Sequence, residues 1–178
     1  MRTFYVITLV LITLLFNAAS CNSDDDKDTL PPQTQEGRNT FGCLVNGKIW
    51  FPKGVGSRTI AFANKDYLLI GANIGQTESI GLLLKNEELI PNTEYILNSD
   101  NSMGTFDIKC STGAYCYYQT NLKYIGKINI IRLDTINKII SGVFSLNVQT
   151  KDLPTNCDCD SNIITITDGR FDLQYLIR

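Results

Sequence analysis

The sequence predicts an all-β fold: a single antiparallel β-sandwich or barrel-like domain of about 9–11 strands over residues 40–178. Three observations predict it. β-rich runs recur at short spacings, turn-forming residues separate them, and no stretch of ten or more residues holds a helical period. Strands at such spacing without helices pack as a sandwich or a barrel.

Taken in order, runs 41–45 and 48–51 flank Asn46-Gly47, a strong hairpin signal because both residue types tolerate positive φ. Further runs lie at 59–63, 67–74, 79–85, 94–97, 104–110, 115–120, 124–133, 138–149, 163–167 and 170–177. Asn64-Lys65-Asp66, Pro91-Asn92 and Asn98-Ser99-Asp100-Asn101 supply turns between them. Two strands alternate clearly. Ile140, Gly142, Phe144, Leu146 and Val148 share one face, as do Phe171, Leu173, Tyr175 and Ile177. Asp168-Gly169 is either the turn joining the last two runs or a bulge within one long strand. One helical turn fits around 86–89.

The first 39 residues have a different character. Arg2 precedes an apolar run at 4–16, roughly 20 Å of helix at about 1.5 Å per residue. A bilayer core of about 30 Å needs around 20 residues. The run therefore suits the apolar region of a secretory signal, and the small residues Ala18-Ala19-Ser20 suit its cleavage site. Cleavage there makes Cys21 the first residue. Ala18-Ala19-Ser20-Cys21 resembles the lipobox of bacterial lipoproteins, although the aliphatic residue usual three places before the cysteine is here Ala18. The resemblance implies acylation of Cys21 and membrane anchoring by lipid, since two or more acyl chains hold stably where one does not. Ser23-Asp24-Asp25-Asp26 resembles the acidic surface-export signal of Bacteroidota lipoproteins, which implies the outer face of the outer membrane. Residues 21–39, rich in Asp, Gln and Pro, read as a disordered linker with too little apolar surface to offset its ordering entropy.

Charge narrows the partners. The body from Thr40 onward carries 13 basic and 13 acidic side chains, and without a basic cluster it offers nothing for nucleic acid. The expected partners are the membrane, through Cys21, and a protein or glycan of the envelope. Histidine is absent from the chain. That excludes Ser-His-Asp and Cys-His catalysis and histidine-ligated metals. Gly54-Val55-Gly56-Ser57 lacks the second half of either common phosphate-loop pattern. No catalytic residue, cofactor or metal is expected. The carboxylates Glu87, Glu88, Glu94 and Asp107 read as solvent-facing charges at turns and strand edges.

The chain has six cysteines, and in an exported chain cysteines read as redox-relevant and disposed to disulfides. With Cys21 lipidated, Cys43, Cys110, Cys116, Cys157 and Cys159 remain, and an odd number leaves one over. Cys110 and Cys116 flank a short loop between two strands, so a bridge across that hairpin is expected. Cys43 is expected to pair with Cys157 or Cys159. A metal at Cys157-Asp158-Cys159-Asp160 is not expected, because structural zinc favours Cys-x₂-Cys spacings and histidine. Tyr115, Tyr117 and Tyr118, with Tyr124 nearby, form the one aromatic cluster that could bind a sugar or a protein.

Three segments carry a wider resemblance: Thr40-Phe41-Gly42-Cys43-Leu44-Val45-Asn46-Gly47-Lys48-Ile49-Trp50, Ile140-Ser141-Gly142-Val143-Phe144-Ser145-Leu146 and Ile166-Thr167-Asp168-Gly169-Arg170-Phe171-Asp172. Together they resemble an uncharacterised family of Bacteroidota lipoproteins over essentially the whole body, with Val143 where the pattern usually has Thr. The resemblance implies a small β domain behind a lipid anchor and no activity. The expected role is binding or structural within the cell envelope. Its alternatives are a lipocalin-like carrier of a small ligand and a glycan-active enzyme.

Overall fold

A computed structural model describes residues 29–85, 87–98, 101–150, 157, 159 and 161–177. The signal run, Cys21 and the acidic run behind it lie outside the described residues. The domain is all-β, with no helix among the described residues. Twelve strands form one large, mostly antiparallel sheet that is not closed into a barrel. They are β1 (Thr40–Val45), β2 (Lys48–Trp50), β3 (Arg58–Ala63), β4 (Tyr67–Ile74), β5 (Glu78–Lys85), β6 (Thr93–Leu97), β7 (Ser102–Lys109), β8 (Tyr115–Gln119), β9 (Gly126–Asp134), β10 (Ile139–Thr150), β11 (Ile163–Gln174) and β12 (Leu176–Ile177). The count passes the expected range only through very short strands, β2 with three residues and β12 with two.

The sheet runs β12-β3-β4-β5-β7-β8-β10-β11-β1-β2, and β9 and β6 branch from β10. β10 is long enough to serve two neighbours on one edge. Its Ile139–Leu146 half pairs with β9, and its last two residues pair with β8. β11 leads directly into β12, whose Leu176 and Ile177 lie parallel to Phe62 and Ala63 of β3. That contact brings the two arms of the sheet together, and the core fills the space between them. Ile70, Leu82 and Phe106 enter it from one arm, and Ile140, Leu146 and Phe171 from the other.

Local chemistry explains the turns. Asn46 and Gly47 adopt φ of 47° and 77°, the double left-handed conformation that matches strand twist in a two-residue hairpin. The helical turn expected around 86–89 is absent from residues 87–90. There the Tyr95 hydroxyl donates to the Glu88 carbonyl and accepts from the Ile90 N–H, each at 2.7 Å.

Asp168-Gly169 is a bulge rather than a turn. Phe144 pairs with Gly169 and Leu146 with Ile166, so β11 spends one extra residue where β10 spends none. The same shift appears against β1, between Gly42 and Leu44. Asp168 takes φ 52° at this point. The extra residue has a packing consequence. Ile164 and Ile166 are buried before it, and Phe171, Leu173 and Tyr175 after it. Even positions give way to odd ones, so both halves of the strand keep their apolar side chains in the core. The alternation expected for Phe171, Leu173 and Tyr175 holds, while Ile177 is exposed on β12.

The linker reading needs correction at its C-terminal end. Residues 29–39 form no strand, yet they lie against the sheet. The reason is Asp172 on β11, which is only 1 % exposed. A buried carboxylate must find donors. It takes them from the Thr34 hydroxyl (2.6 Å) and from the backbone N–H groups of Glu36 (2.9 Å), Gly37 (2.7 Å) and Arg38 (3.3 Å). Gly37 at φ 74° turns successive N–H groups toward one anion, the geometry of a backbone nest. Arg132 donates to the Gln35 carbonyl, and the Asn39 side chain accepts from the Gln174 N–H at 3.0 Å.

Candidate functional site

One groove among the described residues gathers aromatic, charged and sulfur-bearing side chains from several strands. It measures about 520 Å³ and opens where the β1–β2 hairpin faces β5, β7 and β8. Its floor follows from strand register. Glu78, Ile108 and Cys116 stand directly opposite one another on β5, β7 and β8, and Phe106 stands opposite Tyr118 two residues away. Period two therefore turns Phe106 and Ile108 to one side of β7, and both line the groove. The hairpin closes the other side with Val45, Ile49 and Trp50.

Trp50 is held rather than free. It is 5 % exposed, its indole N–H donates to a Glu78 carboxylate oxygen at 2.5 Å, and its ring meets Phe41 edge-on at 6.0 Å. Tyr118 is 1 % exposed, stands 6.0 Å from Phe106, and donates its hydroxyl to the Ser161 carbonyl at 2.8 Å. The walls are thus fixed aromatics, with Lys48, Glu78 and Lys109 as the charged groups of the lining. Polar and charged groups share this lining with the apolar walls, a mix that suits a small amphipathic molecule.

The expected tyrosine cluster divides between two faces of β8. Tyr115 and Tyr117, two residues apart, stack with centroids 5.9 Å apart on the outer face. Tyr117 is exposed, and the Tyr115 hydroxyl donates to the Gln76 carbonyl at 2.9 Å. Tyr118 has the opposite parity and points into the groove. Tyr124 lies in the connection after β8, half-buried beneath the Lys123 ammonium at 5.2 Å. Trp50 and Glu78 escape sequence reasoning because their contact spans 28 residues. Trp50 carried one usable signal, as the single tryptophan of the chain.

Cysteine pairing also differs from expectation. Cys110 pairs with Cys157, and Cys116 with Cys159. The register of the β7–β8 hairpin explains why Cys110 does not bridge Cys116. Cys116 faces Ile108, whereas Cys110 lies past the last strand pair and donates its N–H to the Ala114 carbonyl. The two are diagonal, with sulfurs 3.4 Å apart. Cys157 and Cys159 each meet one of them. Cys43 is the free cysteine among the described residues, and it is not joined to Cys157 or Cys159. It faces Trp50 across the β1–β2 hairpin and is fully buried, which pushes its thiol up to about 12. Such a thiol stays protonated and inert. Iodoacetamide is therefore expected to spare Cys43 in the folded protein and to label it in denaturant without reductant, as peptide mass spectrometry would show.

The carboxylates weighed for glycan chemistry are scattered. Glu87 and Glu88 are exposed, and Glu94 pairs with Lys127 at 2.8 Å on the surface. Asp107 accepts from the Ser79 hydroxyl at 3.1 Å, and partial burial raises its carboxyl above the ordinary range. None of the four lines the groove. Among the described residues no helix is long and apolar enough to cross a membrane. No protein-family model matches the chain, and neither does any curated protein or solved structure.

Proposed function

We propose that the chain is a lipoprotein anchored through Cys21 to the outer membrane and facing the cell surface, and that its β domain binds a small amphipathic ligand in the groove beside Trp50. The observation that carries the binding reading is a preformed groove of about 520 Å³ walled by Trp50, Phe106, Ile108 and Tyr118. Small-molecule sites run from about 300 to 1,000 Å³ and combine apolar walls with a few polar groups. Lys48 and Lys109 suit an anionic end on the ligand, and the partly exposed Val45, Ile49 and Ile108, backed by the buried aromatics, suit an apolar body. Trp50 is too buried to offer an open platform for a sugar ring. The signal run, the small residues before Cys21 and the acidic run after it support the anchor and the surface address.

A lipocalin-like carrier would enclose its ligand within a closed barrel. Here the groove opens to solvent on an unclosed sheet, which favours capture at the mouth over enclosure. Glycan hydrolysis would need two carboxylates about 5–9.5 Å apart across a cleft. Glu78 is the one carboxylate among the described groove residues, and Trp50 holds it.

Trp50 is the only tryptophan, so its emission reports on the groove alone. The full chain in detergent is titrated with fatty acids, other amphipathic anions and envelope glycans. A saturable change with amphipathic anions is expected, weakened about tenfold, or about 1.4 kcal/mol, by Lys109→Glu. Binding that leaves the Trp50 emission unmoved would overturn the groove. An unmodified Cys21 in the native protein, by mass spectrometry, would end the anchor.

A further inference from the structure

Four sulfurs converge at one end of the groove. The Sγ atoms of Cys110, Cys116, Cys157 and Cys159 all lie within 4.8 Å of one another. Between atoms that share no bond, Cys116 to Cys157 is 3.3 Å, Cys110 to Cys116 is 3.4 Å and Cys110 to Cys159 is 4.0 Å. An ion held tetrahedrally by four thiolates at about 2.3 Å sets neighbouring sulfurs about 3.8 Å apart. Three edges of such a tetrahedron already stand near that length. The two bonded pairs are the edges that must open, from a disulfide bond of about 2.05 Å. Their Cα atoms are 5.5 and 6.6 Å apart, so side-chain rotation rather than chain movement would open them.

We infer that, in its reduced state, this cluster is a tetrathiolate site for one divalent ion of the zinc class, which joins the β7–β8 hairpin to the 157–159 segment in place of two disulfides. The spacing that argued against a metal at Cys157 and Cys159 alone loses its force here. The hairpin supplies the second pair of sulfurs, which the linear sequence does not show. Thiolates are soft ligands and select zinc over calcium or magnesium. Cys110, Cys116 and Cys159 line the groove, which gives reductant and ion a path from solvent, and Lys109 lies in the same lining to offset negative charge.

The chemistry balances with a dithiol as reductant. Each disulfide accepts two electrons and two protons, its S–S bond breaks, two S–H bonds form, and the dithiol leaves as its own disulfide. Binding of the ion then releases the four thiol protons and leaves a doubly negative centre, so acid opposes loading.

The test uses the full chain, reduced without oxygen by a phosphine and then freed of it. Cobalt(II) is added, and the visible bands of tetrahedral thiolate-bound cobalt are followed. They are expected to rise to one equivalent, to vanish on adding one equivalent of zinc, to persist in Cys43→Ala and to be lost in the Cys110→Ser/Cys159→Ser double variant. No tetrahedral bands, a different equivalence point, or bands unchanged in the double variant would each overturn the site. Should reduction melt the domain, recovery of the strand circular dichroism with one equivalent of zinc supports it, and failure to recover counts against it.

Discussion

Replacing Gly169 by alanine is expected to lower the melting temperature by roughly 10 °C, from a loss of about 3 kcal/mol. Gly169 sits in the β11 bulge directly opposite Phe144. A Cβ there would stand 2.6 Å from the Phe144 carbonyl oxygen and 2.6 to 2.7 Å from two atoms of its ring. The φ of Gly169 is not positive, so backbone strain has no part in the cost. The cost is steric, and the carbonyl belongs to the central strand β10 and cannot move alone. The ring can. Phe144→Leu should therefore recover part of the loss, and a thermal double-mutant cycle should give a double variant more stable than the sum of the singles. Additive singles would show that the ring is not the obstacle.

Asp172→Ala is expected to cost about 3 kcal/mol, because four donors lose a shared buried acceptor and their desolvation goes uncompensated. Burial pushes this carboxyl up, and the Thr34 hydroxyl with the N–H groups of Glu36, Gly37 and Arg38 more than offsets it, so the net direction is down. A depressed folded-state value means that the ionised carboxylate stabilises the native state. That contribution is whole above the ordinary value of 3.8 and is lost as pH falls through the folded value. Measured against the intrinsic rate at each pH, the protection of the Gly37 amide from hydrogen exchange should be high at neutral pH and fall at the acid end. In Asp172→Asn, which keeps the shape and loses the charge, that protection should be low throughout. Unchanged protection in Asp172→Asn would mean that the segment is held by its other contacts.

What the sequence discloses depends on how local the cause is. The Asn46-Gly47 hairpin was legible because two adjacent residues carry the whole conformational requirement. The alternation in β10 was equally legible, since Ile140, Phe144, Leu146 and Val148 are each buried by the one rule of period two. Asp168-Gly169 was legible only as a choice, for the same two residues serve a turn or a bulge and the decision rests with the partners on β1 and β10. The groove and the sulfur cluster depend on register across several strands. Trp50 reaches Glu78, and Cys110 reaches Cys157, through contacts separated by 28 and 47 residues. The docked segment was least legible of all, because Thr34 and Asp172 are 138 residues apart.

Docking of residues 34–38 on Asp172 also limits how far the domain can stand from the anchor proposed at Cys21. Were the chain free from Cys21 to Thr40, the span at about 3.5 Å per residue would reach roughly 65 Å. With Thr34 held on Asp172, the greatest reach from Cys21 to the docked segment is roughly 45 Å. On the proposed lipid anchor, one buried carboxylate on β11 therefore acts as a leash stop. It draws the domain nearer that anchor and narrows the volume of space in which its groove can meet a ligand.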